Sequence, residues 1–216
     1  NLVANAVKFT PPGGHLIVEV ASDANGRAVL RVADDGPGIP EHDRTHVFDT
    51  GNASGGEGLL AMRAGEMALQ GADAPAILAE LARLKPLTQT WALARNIRHA
   101  VRGGRLPAWA QPVAEWLGLT PIARIKPSGR LGMAGGLFGT SNVPVRFAAH
   151  VARRVDRTKA WRLVVGHCDA ADDGAAVLAA LRDRITVREG WLVETGSAIG
   201  AHAGPGALVV SLQPAD

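Results

Sequence analysis

The sequence predicts an α/β protein, a mixed sheet with helices packed on it, preceded by a shorter helix-and-hairpin segment. Three observations carry this. From about Phe48 onward, runs with helical apolar spacing alternate with short β-rich runs. Residues 1–47 follow a different grammar, one helical run and then two β-rich runs joined across a turn. Near the C-terminus, Gly200-Ala201-His202-Ala203-Gly204-Pro205-Gly206-Ala207-Leu208 gathers three glycines and a proline around one imidazole. Glycine permits positive φ and close backbone approach, and proline fixes a turn. This spacing predicts an open loop that presents one donor to a small anionic group, or else a tight turn carrying an incidental histidine.

The elements follow in order. Leu2, Val3, Ala6 and Val7 recur at helical spacing and are stopped by Pro11-Pro12-Gly13-Gly14. Leu16 to Ala21 and Ala28 to Ala33 are β-rich and joined across Asp23-Ala24-Asn25-Gly26-Arg27, a hairpin signal. Asp34-Asp35-Gly36-Pro37-Gly38-Ile39-Pro40 leaves the second strand as a glycine-rich loop. Gly58 to Leu69 and Ala74 to Leu84 read as helices separated by Gly71, and Leu87 to Leu93 as a strand. Ala94 to Val101 and Ala108 to Leu117 read as helices. Pro121 to Ile125 and the run from Arg130 read as a hairpin across Pro127-Ser128-Gly129. Pro144 to Arg154 is a helix, Arg162 to Gly166 a buried strand and Gly174 to Arg184 a helix. A strand pair, Trp191 to Thr195 and Leu208 to Leu212, flanks the His202 loop.

Composition narrows the function. A chain of 216 residues buries one large core or two small ones. The net charge of +3 is small, and the basic residues form no stripe with interleaved aromatics, which argues against nucleic-acid binding. No apolar run reaches membrane-spanning length. The single cysteine, Cys168, excludes internal disulfides and a cysteine-based zinc site and points to the cytoplasm. The chain opens on Asn1 within a motif and without a leader, so it reads as a piece of a longer reading frame. His167 beside Cys168 reads as a strand-end pair, because no second ligand pair has metal spacing. His15, His42, His46, His99 and His150 read as surface or helix-face residues, and the five tryptophans as core or interface anchors. Asp169, Asp172 and Asp173 read as capping and charging the next helix. No paired-carboxylate or Ser-His-Asp arrangement emerges.

Asn1-Leu2-Val3-Ala4-Asn5-Ala6-Val7-Lys8-Phe9-Thr10-Pro11 resembles the N box of the histidine-kinase ATPase domain, and Asp34-Asp35-Gly36-Pro37-Gly38 its first glycine box. Over residues 1–47 the resemblance implies Mg-ATP binding. Asn1 and Asn5 would be Mg²⁺ ligands, Lys8 a phosphate contact and Asp35 the adenine reader, on a loop opened by Gly36 and Gly38. The match then departs from the family. A second glycine box at Gly55-Gly56-Glu57-Gly58-Leu59-Leu60 lacks its further glycine, and the nucleotide lid is almost absent.

Phe48-Asp49-Thr50-Gly51-Asn52-Ala53-Ser54-Gly55-Gly56-Glu57-Gly58-Leu59 resembles instead the D-S-x-x-x-S-x-G-x-G-L segment of the DegV family of fatty-acid-binding proteins. Val101-Arg102-Gly103-Gly104-Arg105-Leu106 resembles its R-G-G-R signature, and the segment from Glu194 to Leu208 its last strands and H-x-G-P-G-A loop. The resemblance covers residues 48–216. It implies a fatty acid as ligand, with His202, Ser54, Gly204 and Gly206 around the head group and Arg105 facing a phosphate or a fatty-acid kinase as partner. The family's N-terminal loops, T-S-Q-P-S and L-S-G-T, which supply carboxylate-binding hydroxyls, have no counterpart. Fatty-acid binding is the leading expectation and ATP binding through residues 1–58 the alternative. The glycine-opened helix from Gly55 fits either family.

Overall fold

The computed structural model describes residues 7–22, 28–37, 47–95, 98, 101 and 116–215. The chain divides into two compact units, residues 1–47 and 48–216.

In the first unit, residues 7–9 are helical and two strands, β1 (Leu16–Ser22) and β2 (Ala28–Asp34), pair antiparallel from Leu16 opposite Asp34 to Ser22 opposite Ala28. The second unit contains α1 (Gly55–Leu69), α2 (Ala74–Leu84), a 3-10 turn (Lys85–Leu87), β3 (Gln89–Leu93), β4 (Leu119–Ile125) and β5 (Leu131–Phe138). These are followed by α3 (Val143–Ala152), β6 (Ala160–His167), α4 (Ala171–Arg182), β7 (Thr186–Glu194), α5 (Ser197–Ala203) and β8 (Leu208–Pro214). Local chemistry sets the element ends. Asp73 accepts the Ala76 amide at 2.9 Å and Pro75 sits in the first turn of α2, a favourable helix start. Gly71, at φ +82°, separates α1 from α2 in a conformation that suits glycine.

The sheet is six-stranded and mixed, in the order β5-β4-β3-β8-β6-β7. All neighbours are antiparallel except β6 and β7, which are parallel and joined through α4. The strands β7 and β8 that flank the glycine-proline run do not pair with each other, because β6 lies between them. This corrects the expected strand pair. β8 arrives last and fills the centre, where all seven of its residues are buried.

Strand alternation gives the sheet two different faces. One carries Trp91, Leu93, Ile122, Leu163, Val165, Leu208, Val210 and Leu212, which form the main core with Phe147 and Val151 of α3 and Val177 and Leu181 of α4. The opposite face bears α1, beneath which Leu60, Leu81 and Leu84 make a second, smaller core.

His150 belongs to the main core rather than to a helix surface, which corrects the expectation. It is 5 % exposed, its ring stands edge-on to Trp91 at 5.8 Å, and its Nε2 has no hydrogen-bond partner. A Cβ at Gly135 would lie 2.8 Å from its Cε1, so glycine is what admits the ring. Burial holds this imidazole below the ordinary histidine range. The charges of Arg154 and Arg153 reinforce that shift, and a hydrogen bond with the Ala134 backbone opposes it. The unfolded chain therefore takes a proton at His150 below about pH 6.5 that the folded chain refuses, so stability is full above that pH and falls as pH drops through it. Melting temperatures are expected to decline between pH 7.5 and 5.5, and less so in His150→Leu. Equal declines in both proteins would contradict this assignment.

Candidate functional site

Residues 49–54 form a loop pinned to the sheet by side chains. Asp49 accepts the Gly51 amide at 2.9 Å through its carboxylate, and the Lys85 ammonium donates to the Asp49 carbonyl at 2.6 Å and to its carboxylate at 3.2 Å. These hydrogen bonds hold the Asp49 carboxyl below the usual carboxylate range. Asn52 Oδ1 accepts the Ala53 amide at 3.0 Å and the Thr90 hydroxyl at 2.7 Å, while its Nδ2 donates to the Thr88 carbonyl at 3.3 Å. Thr90 gives its only proton to Asn52, so Ser211, 2.9 Å away, donates to Thr90. Gln213 donates to the Thr88 hydroxyl at 3.2 Å, which in turn donates to the Leu84 carbonyl at 3.0 Å. The loop is thereby tied to β3 and β8.

The two glycines after the loop let α1 lie directly on the sheet. A Cβ at Gly55 would come 2.7 Å from Val164 Cβ and 3.1 Å from Ser211 Cβ, and one at Gly56 would come 2.3 Å from Asn52 Oδ1. Helix α1 therefore begins three residues before the expected Gly58. Ser54, its N-cap, has φ 54° and ψ −132°, a region that non-glycine residues rarely occupy. Its hydroxyl makes no capping bond to the helix. Its Oγ lies 3.7 Å from the point where a Cβ on Gly166 would stand.

From Gly166 a continuous apolar row crosses the sheet on the α1 face. The register pairs Val193 with Gly166, Gly166 with Val209, Val209 with Ala92, Ala92 with Ala123 and Ala123 with Met133. One residue from each of the six strands lies in line, and four of the six are alanine, glycine or valine of the inner strands. The next row on the same face is polar at its centre, Thr90 opposite Ser211. Exposure rises along the row, from buried Gly166 and Val209 to Met133, which is 57 % exposed. At four interstrand spacings of about 4.8 Å, the stretch from Gly166 to Met133 is roughly 19 Å long.

The Gly200–Leu208 run returns to the same end of the sheet. Part of it is helical: α5 spans Ser197–Ala203, with His202 in its last turn and Gly204 ending it at φ 73°. This corrects the expected open loop. Gly206, at φ 80°, donates its amide to the Cys168 carbonyl at 2.7 Å, and Cys168 donates to the Ala207 carbonyl at 2.9 Å. These bonds tether the run to the end of β6, two residues beyond Gly166. Thr195, which precedes α5, donates its amide and hydroxyl to the His167 carbonyl and lays its methyl over Gly166. His202 Nδ1 is buried and has no hydrogen-bond partner. The structure thus brings Ser54, His202, Gly204 and Gly206 to one end of the sheet, with no hydrogen bond joining His202 to Ser54. Arg105 lies outside the described residues, as do Asn1, Asn5 and Gly38.

The other expected nucleotide contacts are engaged locally. Asp35 accepts the His15 amide at 2.8 Å and meets the His15 ring at 3.0 Å, interactions that hold its carboxyl below the usual range. The Gly36 amide is taken by Asp34 at 2.8 Å, and the Lys8 ammonium sits 5.1 Å from the Phe9 ring centroid.

Two cavities, of about 250 and 150 Å³, lie toward the opposite end of the strands from His202. The larger is lined by Arg63, Glu66, Glu80, Arg83, Arg162 and Glu189, whose charges pair among themselves. Neither is an apolar slot. Sequence reasoning missed Asn52, Thr90, Ser211, Thr195 and the whole row. Its six members come from six strands, and only the register aligns them.

Fold and candidate site together define an α/β domain, with an apolar row across a mixed sheet and polar groups gathered at one end. The model of the DegV family, described as that of an uncharacterised protein, matches residues 27–215, and the chain belongs to this family. A DegV domain-containing protein of Deinococcus radiodurans is 28% identical over 172 residues, covering 79% of this chain and 60% of the relative. Among solved structures, a DegV family protein from Thermus thermophilus, described for its fatty-acid binding, is 27% identical with a TM-score of 0.67 and covers 79% of this chain and 61% of that one. A DegV family protein from Ruminococcus gnavus, refined with vaccenic acid, shares the fold at 23% identity and a TM-score of 0.67, over 77% of this chain and 59% of that one. The chain thus spans about three fifths of the length of these relatives. A short stretch is also similar to the histidine-protein kinase/phosphatase MprB of Mycobacterium tuberculosis, 47% identical over 49 residues, which is 23% of this chain and 10% of the kinase. No helix among the described residues is long and apolar enough to cross a membrane.

Proposed function

We propose that this chain binds a long-chain fatty acid. The acyl chain lies across the strands over the row from Gly166 to Met133, and the carboxylate sits at the β6 end beside Ser54 and His202. The observation that carries this reading is the row itself, whose stretch from Met133 to Gly166 is an unbroken apolar line over five strands that ends near a hydroxyl unused by its own helix and a buried imidazole nitrogen without a partner. Each methylene removed from water contributes about 0.8 kcal/mol, so the tail supplies most of the affinity and the polar end fixes its direction. The fatty acids named for the Thermus and Ruminococcus relatives support the same ligand class. Residues 48–216 are the incomplete lipid-binding domain and residues 1–47 the kinase-like segment, and the chain acts by binding rather than by catalysis. A fatty-acid kinase reading the bound carboxylate, with Arg105 facing it, is the partner the family resemblance suggests. Cys168, the one cysteine, suits a reducing cytoplasm.

Titration of delipidated protein with oleate tests this. Uptake of one oleate per chain is expected. His202→Ala is expected to weaken it by about 1–3 kcal/mol, the scale of a hydrogen bond to a charged group, with little change in the ligand-free melting temperature. No uptake by the parent protein would refute the proposal. A large loss of stability with unchanged affinity would assign His202 to packing.

A further inference from the structure

We propose that Asn52 is the positioning residue that sets the Ser54 hydroxyl toward its ligand, an inference that rests on Ser54 being a head-group contact. Asn52 stands two residues before Ser54 and is the knot of the buried polar chain. Its oxygen is filled by the Ala53 amide and the Thr90 hydroxyl, and its nitrogen reaches the Thr88 carbonyl. Thr90 passes the connection to Ser211 on β8, so one side chain locks the loop to two adjacent strands. The bond to the Ala53 amide fixes the peptide between Asn52 and Ala53, one residue before the backbone turns to φ 54° at Ser54. That rare conformation persists only where its surroundings over-determine it. It also leaves the hydroxyl off the helix, where an ordinary N-cap serine bonds the first-turn amides. Gly56 supplies the room, since a Cβ there would overlap both Asn52 Oδ1 and Thr90 Oγ1. The site needs two acceptor positions and one donor on a short side chain, and asparagine provides them.

A double-mutant cycle on the chain as it stands tests this, read as oleate affinity by calorimetry beside the melting temperature of each variant. Ser54→Ala and Asn52→Ala are each expected to weaken oleate by about tenfold, the effect of losing one hydrogen bond. The double variant is expected to be no weaker than Ser54→Ala alone, because Asn52 acts through the hydroxyl already removed. Should Asn52→Ala fail to fold, Thr90→Val removes the hydroxyl that Asn52 accepts at nearly constant shape and carries the same expectation. Fully additive losses, or unchanged affinity in Asn52→Ala, would overturn the proposal. Oleate binding untouched by Ser54→Ala would remove the head-group reading of Ser54 and this proposal with it.

Discussion

Phe147→Ala is expected to cost about 3–5 kcal/mol of stability, most of the margin of an ordinary domain. The phenyl ring is fully buried on the sheet-facing side of α3, in the core that holds Trp91, Ile122, Leu137 and Val151. Its removal loses the transfer energy of the ring and leaves a cavity that flanking strands and helix cannot close. Phe138→Ala is the control. That ring lies on the edge strand β5, is 62 % exposed, and its loss is expected to change stability by about 0.5 kcal/mol or less. Urea unfolding with an unchanged slope reads the difference directly. Equal losses in the two variants would mean that α3 does not pack as described.

The second large effect concerns Arg162. Its side chain is 8% exposed, donates from Nε to Glu189 at 2.9 Å, grips Glu66 through both terminal nitrogens, and lies over the Trp191 ring. The guanidinium is satisfied only because α1 and β7 each bring a carboxylate to the first residues of β6. Glu66→Ala combined with Glu189→Ala strands a buried cation and is expected to cost about 3 kcal/mol. Arg162→Met behaves differently. The two carboxylates are already partly hydrated, so they return to water and an apolar side chain keeps the packing of the arginine stem. About 1 kcal/mol or less is expected. Chemical denaturation at neutral pH separates the cases, and an Arg162→Met loss equal to that of the double glutamate variant would show that the ion pair itself, rather than the relief of a buried charge, sets the stability.

Much of the fold was legible because local signals agreed with it. The helical run from Ala74 to Leu84 matched α2, Gly71 marked the break before it, and the β-rich runs of β1, β2, β6 and β8 were continuous. Three things were not legible. Helix α5 is a single seven-residue element with Gly200 at its centre, so the propensity signal in Ser197–Ala203 was weaker than the turn signal of Gly204-Pro205-Gly206. The polar character of His150 suggested a helix face, whereas Gly135 on a distant strand makes room for it in the core. The placement of β8 between β3 and β6 is a long-range choice that no local pattern encodes, and the apolar row depends on it. Of the proposed site, Ser54 and His202 were named from the sequence through family-like motifs. The residues that hold Ser54, namely Asn52, Thr90 and Ser211, lie far apart in sequence and carry no motif.

The central claim is that a fatty acid lies across the strands on the α1 face, and methyl-labelled protein titrated with oleate tests it most directly by nuclear magnetic resonance. Contacts from acyl methylenes are predicted to the methyl groups of Val209, Ala92, Ala123 and Met133, the last nearest the tail, with the carboxyl end beside Thr195. Contacts confined to methyls of other residues, or a spectrum unchanged by oleate, would contradict the account.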